Sequence, residues 1–250
     1  MRICLLLSTI GLLSCVNSPV PLPPYQEDIS SEDIPIPSAQ LGDEEEEEEI
    51  EEDPDAEPVT QDFSFDDSES LLFVQVWKDE SSLAAGMAHN HVIRATNWTG
   101  SARYNEADMD VCSFAFSLDV EDLSVDEDAM REYVGYEDTI STNDRATIKG
   151  HMLGDDQLNA NSYSSITFES SKCETLNDEE VAITGSMFIA GSSKTMVVNM
   201  NLNERNNKLY LSGVIDFTHS DFNITPYSFL GLVSNREELR ITFDMLGRAL

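Results

Sequence analysis

Histidine and cysteine are the residue types in this chain whose spacing could carry chemistry. His89 and His91 stand two apart, so on an extended strand their side chains share a face. Such a pair could supply two ligands to a zinc ion, with His219 or Asp221 as a third. The plainer role is a pair of imidazoles at a rim, hydrogen-bonded to backbone or to the polar end of a bound molecule. His151 has no obvious partner and falls at the end of a predicted helix. Cys112 and Cys173 sit at the start of one predicted strand and the end of the next. If those strands pair antiparallel, the two sulfurs reach the same end, as a disulfide or as two separate buried thiols. Catalytic patterns are missing: there is no G-x-S-x-G, no H-E-x-x-H and no Cys-His arrangement of recognised spacing.

Cys15 belongs to different chemistry. Arg2 precedes a short apolar run from Ile3 to Leu13, too short to span a bilayer, which reads as an export signal. The run ends in Leu12-Leu13-Ser14-Cys15, which resembles the bacterial lipobox, whose cysteine is acylated and becomes the mature N-terminus. Residues 1–15 are thus expected to be a signal peptide with lipobox, and the product an exported lipoprotein of the bacterial periplasm or cell surface.

Residues 16–70 contain no Lys or Arg, eight prolines and an unbroken acidic run from Asp43 to Glu49. Too few apolar side chains are present there to offset the entropy of ordering, so an acidic, disordered, Pro-rich linker is expected. As a flexible coil it would reach roughly 40 Å. The net charge of −34 excludes a general affinity for nucleic acid, which relies on clustered basic side chains.

From Leu71 the pattern changes to period two, the mark of half-buried strands. Strands are predicted at 71–78, 92–104 (with a bend or bulge at Gly100), 112–120, 165–171, 181–189, 195–202, 208–218 and 238–245. Two short helices, 126–134 and 141–153, fall between the third and fourth strands, the second capped by Ser141 or Thr142. Eight strands with mostly short connections remove their exposed edges by closing into an antiparallel barrel, whose interior is wide enough for side chains or one apolar ligand. The folded domain is therefore placed at 71–250 and the fold class is all-β.

Four segments resemble a known family, the YceI-like proteins. Tyr163-Ser164-Ser165-Ile166-Thr167-Phe168-Glu169-Ser170 is similar to the family's Y-P-x-I-x-F-x-S strand, and Met187-Phe188-Ile189-Ala190-Gly191-Ser192-Ser193-Lys194 to its L-T-x-x-G-x-x-K segment. Asp221-Phe222-Asn223-Ile224-Thr225-Pro226-Tyr227-Ser228 resembles the D-F-G-I-x-P-x-S turn, and Ala88-His89-Asn90-His91-Val92 the H-D-H-V form of one branch. The departures are Ser164 for Pro, Phe188 for Thr and Asn223 for Gly. The resemblance implies a lipocalin-like barrel, exported in bacteria, that holds an isoprenoid chain in its lumen; no cofactor is expected.

The expected function is binding, without catalysis. An isoprenoid or other apolar lipid would occupy the lumen, with Phe188, Phe222 and Phe229 as wall and His89, His91 and Tyr227 as polar groups at the entrance. Two alternatives stand beside it: a metal-binding protein or enzyme using His89, His91 and His219, and a structural or partner-binding barrel with a filled core.

Overall fold

The computed structural model describes residues 59–177 and 179–250. The expected signal peptide, Cys15 and most of the acidic linker lie outside the described residues. The strands are β1 (Gln61–Asp66), β2 (Leu71–Lys78), β3 (His91–Ala95), β4 (Thr99–Tyr104), β5 (Ser113–Asp119) and β6 (Leu123–Val125). The helices α1 (Asp128–Tyr133) and α2 (Thr142–Leu153) follow. After them come β7 (Ser165–Thr175), β8 (Glu180–Ile189), β9 (Ser192–Arg205), β10 (Lys208–Thr218), β11 (Ser228–Phe229) and β12 (Val233–Ala249).

Six of these strands are the halves of three long ones. β1 and β2 both run antiparallel along β12, with Phe65 opposite Gly247 and Leu71 opposite Asp244. β4 pairs with β1 while β3 pairs with β2, and β5 and β6 continue the pattern on β4 and β3. The sheet then runs β5-β7-β8-β9-β10-β12 and closes on β1. The result is an eight-stranded antiparallel barrel in which spatial order follows chain order. The three breaks lie side by side and are joined at Asn97, which occupies a left-handed backbone conformation (φ 51°). Its backbone N–H donates to Asp67 and its amide to Asp122. The long strand expected at 92–104 therefore breaks at Asn97, a residue type that tolerates positive φ, and not at Gly100.

The folded chain begins before Leu71. Phe63 and Phe65 of β1 are buried, Phe63 completely, and they complete the ring by joining β12 to β4. Acidic neighbours conceal this strand: Asp62, Asp66 and Asp67 surround two apolar residues, too few to offset the charge in a composition reading. Elsewhere the hairpin turns follow from residue type. β9 and β10 are joined by Asn206-Asn207, both at positive φ, which suits the twist of a two-residue hairpin.

The barrel has two apolar regions. Inside, alternate residues of the eight strands face the lumen. Outside, α1 lays Met130 and Tyr133 over Leu71, Phe73 and Val92, and Phe73 meets Tyr133 edge-on at 5.8 Å. β2 is thus apolar on both faces because both are covered. Helix α2 is capped by Ser141, whose Oγ accepts from the Asp144 N–H at 3.2 Å. None of its residues is fully buried, and it lies across one end of the barrel. Among the described residues no helix is long and apolar enough to cross a membrane.

Candidate functional site: the lumen and its mouth

The lumen is not filled. A cavity of about 320 Å³ runs through it, a volume within the range of small-molecule sites. Its wall is built by strand alternation: Leu72, Val74 and Val76 from β2, Ile93 from β3, Phe116 from β5, and Ile241, Phe243 and Met245 from β12. Val74, Ile93 and Ile241, together with the lining residue Ile215 of β10, are in mid-strand yet only half-buried. Their exposed surface faces the empty interior.

The two ends differ. One is closed by side chains packed around the Cys112–Cys173 disulfide, whose Cα atoms are 6.0 Å apart. Phe114, Met200, Leu211 and Met245 line the lumen towards this end. The opposite end carries the polar lining. Val76 pairs with His91 and with Leu239, and Leu239 with Phe217, so these residues share a level just below His219. Above them His151 of α2 stacks on Tyr227 at 5.0 Å, and Gln157 donates to the Thr225 carbonyl at 3.0 Å. His91, His151, Gln157, His219, Tyr227 and Asn235 all line the cavity here. No Lys, Arg, Asp or Glu lines it among the described residues.

His91 is held from behind by a buried charge network. Its Nδ1 donates to Asp126 Oδ2 at 2.7 Å. Asp126 is wholly buried and sits at positive φ (53°), and its Oδ1 accepts from the Val92 N–H and from Arg131 Nη1 at 2.8 Å. Burial would raise the Asp126 pKa, but the hydrogen bonds from His91, Val92 and Arg131 hold it below the usual carboxylate range. Arg131, 2% exposed, also donates to the carbonyls of Asn90 and Asp138 and to the Asp138 carboxylate. Its guanidinium lies 5.2 Å from the Tyr136 ring. Burial pushes the Tyr136 hydroxyl up to about 12, so it stays protonated. The consequence at the lumen is geometric. Nδ1 of His91 is committed to Asp126, which leaves Nε2 as the ring atom available to a ligand.

His219 is fixed differently. Nδ1 lies 3.0 Å from the Glu237 carbonyl and must donate to it, while burial lowers the ring's pKa. A neutral imidazole with Nε2 as acceptor results.

The structure separates the residues expected to line the entrance. His91, Phe222 and Tyr227 line the cavity. His89 does not; it is paired with Asp138 on the outside of the network. Phe188 points away from the lumen, because Met187 and Ile189 take the inward positions of β8, and its ring packs against Tyr163 at 6.2 Å. Phe229 is 56% exposed at a loop tip. His89, His91 and His219 each have a separate partner, and Asp221 is engaged by Lys194 and by the Thr218 N–H. Among the described residues no group of three His, Cys, Asp or Glu is arranged to hold a metal ion, which removes the geometry the metal alternative needs. Sequence reasoning also missed His151 and Gln157 as lining and Asp126 and Arg131 as support. Only the fold brings α1 and α2 to this end, and no local spacing signals it.

Residues 75–245 match the family model described as the YceI-like domain. The chain belongs to that family. Two solved structures share its fold: Burkholderia cenocepacia BcnA, at 17% identity over 71% of this chain and 96% of that one (TM-score 0.53), and a polyisoprenoid binding domain from Saccharophagus degradans implicated in plant cell wall breakdown, at 12% identity over 75% and 98% (TM-score 0.51). No curated protein matches the chain.

The YceI-like segments have structural roles at the mouth. Gly191 is at φ 81°, and a Cβ there would lie 2.4 Å from the Tyr163 ring, so the tyrosine of one segment rests on the glycine of the next. Lys194 pairs with Asp221, whose carboxylate also caps the turn at Thr218. Asn223 stands where the family has Gly. It adopts the left-handed conformation (φ 58°) and donates to Ser192 Oγ at 3.0 Å, so its side chain adds a contact that glycine lacks. These contacts fix the β8–β9 turn against the loop that carries Phe222, Ile224 and Tyr227 into the lumen.

Proposed function

We propose that the protein sequesters or carries an isoprenoid or other apolar lipid in the barrel lumen, as an exported protein anchored to a membrane by acylated Cys15. The observation that supports the cargo is the lumen itself: about 320 Å³ of space in an apolar wall, with its hydrogen-bonding side chains other than Ser101 and the Trp98 indole gathered at one end. Each buried methylene contributes ~0.8 kcal/mol, so an apolar chain of modest length offsets the cost of its immobilisation. The family relation and the fold shared with a polyisoprenoid binding domain favour an elongated chain.

The mouth narrows the head group. With no Lys or Arg in the lining among the described residues, a phosphate or diphosphate would be buried without the permanent counter-charge that such a group needs. The His91, His151 and His219 rings, the Tyr227 hydroxyl and the amides of Gln157 and Asn235 offer hydrogen bonds that suit a carbonyl or hydroxyl. The membership of a binding family supports binding as the function.

Retinol, a fluorescent isoprenoid alcohol, tests the cargo. Trp98 is buried and lines the lumen, so saturable uptake should quench its emission; titration without quenching or retinol enhancement would contradict lumen binding. Fractionation tests the anchor: Cys15→Ser should move the protein from the membrane to the soluble fraction, and retention would contradict acylation.

A further inference from the structure

Apolar side chains are exposed together at the mouth. Leu83 is 88% exposed, Met87 78%, Leu230 79% and Phe229 56%, with Leu232 beside them. A single exposed leucine means little, but a cluster does, and these belong to two loops joined to each other. Ala84 N–H donates to the Leu232 carbonyl at 2.9 Å, and Asp79 N–H to the Ser234 carbonyl at 2.7 Å. The second loop is continuous with the cavity, since Tyr227 and Asn235 at its base line the lumen and hydrogen-bond each other through the backbone at 2.9 Å.

Two further observations point to what covers this surface. Residues 81–88 and 222–235 contain no charged side chain, in a chain where 25% of residues are charged. The charges at the base of the first loop are spent internally: Lys78 pairs with Glu80 at 3.3 Å, and Asp79 accepts from Ser81. Second, the tip turn places Leu230 at φ 53° before Gly231 at φ 67°. Asn or Gly adopts that conformation with less strain, and a bulky residue there is an outlier. A large apolar group thus stands at an exposed tip position against local backbone preference.

We propose that these two loops form a docking rim that seats the barrel mouth-down on an electrically neutral lipid bilayer. Apolar tips of this size enter the boundary between head groups and acyl chains without any basic residues to attract anionic lipid. That placement sets the lumen opening against the membrane. The inference rests on the lipid-carrying function for the identity of the cargo, but the docking is a separate property of the surface.

Amide hydrogen exchange on the full chain tests it, with phosphatidylcholine vesicles present or absent, beside a variant carrying Leu83→Asp and Leu230→Asp. Neither residue lines the lumen. Exchange in residues 81–88 and 228–234 should slow at least tenfold on vesicles, to a similar extent at low and high salt, and the variant should show no slowing. Uptake of retinol from vesicles should fall at least tenfold in the variant, while retinol titrated directly into solution binds both chains alike. Equal exchange with and without vesicles would overturn the proposal. So would protection that grows with protein concentration in the absence of lipid, because the rim would then be an interface between copies. If neither chain takes up retinol but the rim is still protected on vesicles, docking stands and the cargo assignment falls.

Discussion

Arg131 carries the support behind His91, and its removal leaves more than a gap. It is 2% exposed and bonded to Asp126, which is fully buried. Arg131→Met should therefore strand a buried carboxylate and cost ~3–5 kcal/mol in denaturant unfolding. Arg103→Met, which breaks an exposed pair with Asp62, should cost under ~1 kcal/mol. Equal losses would mean that the buried network is not a unit. Asp244 gives a pH signature of opposite sign from most carboxylates. Burial pushes its pKa up to about 7 from 3.8, and its Oδ1 has no hydrogen-bond partner among the described residues. The folded state holds the proton more tightly than the unfolded state, so this contribution to stability is full below pH 4 and is lost as pH rises through 7. Asp244→Asn should therefore raise the unfolding free energy at pH 8, by up to ~4 kcal/mol, and change little at pH 4. Loss of stability at pH 8 would refute the assignment. His219 shifts the other way: its pKa lies below 6.5 when folded, so its neutral form favours folding above that value and the benefit is lost as pH falls.

At the scale of elements, empty space makes a prediction that packing alone would not. Ile241 faces the lumen between Val74 and Ile215. Ile241→Trp should fill part of the cavity at no net cost in stability, because the added ring meets space and not neighbours. Retinol uptake should fall at least tenfold. A variant that binds retinol as tightly as the parent would place the ligand elsewhere. Strand alternation explains both what was legible and what was not. Phe114, Leu118 and their neighbours alternate cleanly because one face of β5 is wet, and the placement of Cys112 and Cys173 at one end follows from the antiparallel pairing of β5 with β7. That bridge closes a separation of 61 residues, worth about 4 kcal/mol in the chain-entropy account. Phe188 was expected in the wall, but alternation alone does not say which face of β8 is inside, and the structure gives the inside to Met187 and Ile189. The His89/His91 pair misled more simply. Two residues on one face of a strand still part company when the strand begins at the second, and β3 starts at His91.

The whole molecule is a barrel with one sealed end and one polar mouth, covered by a helix with no fully buried residue. That asymmetry follows from contacts far apart in sequence, between α2 and the loop at 222–227 and between β1 and β12, which no short motif records. The family segments made the fold legible because they fix turns at the mouth, and the polar lining stayed obscure because it comes from helix, loop and strand at once. The central claim is that an apolar lipid occupies this lumen. Organic-solvent extraction of protein purified without detergent, followed by mass spectrometry, tests it most directly. A lipid with a neutral carbonyl or hydroxyl head and a long apolar chain should be recovered near one per protein from the parent and depleted from Ile241→Trp. Recovery of no lipid from the parent, or of equal amounts from both, would contradict it.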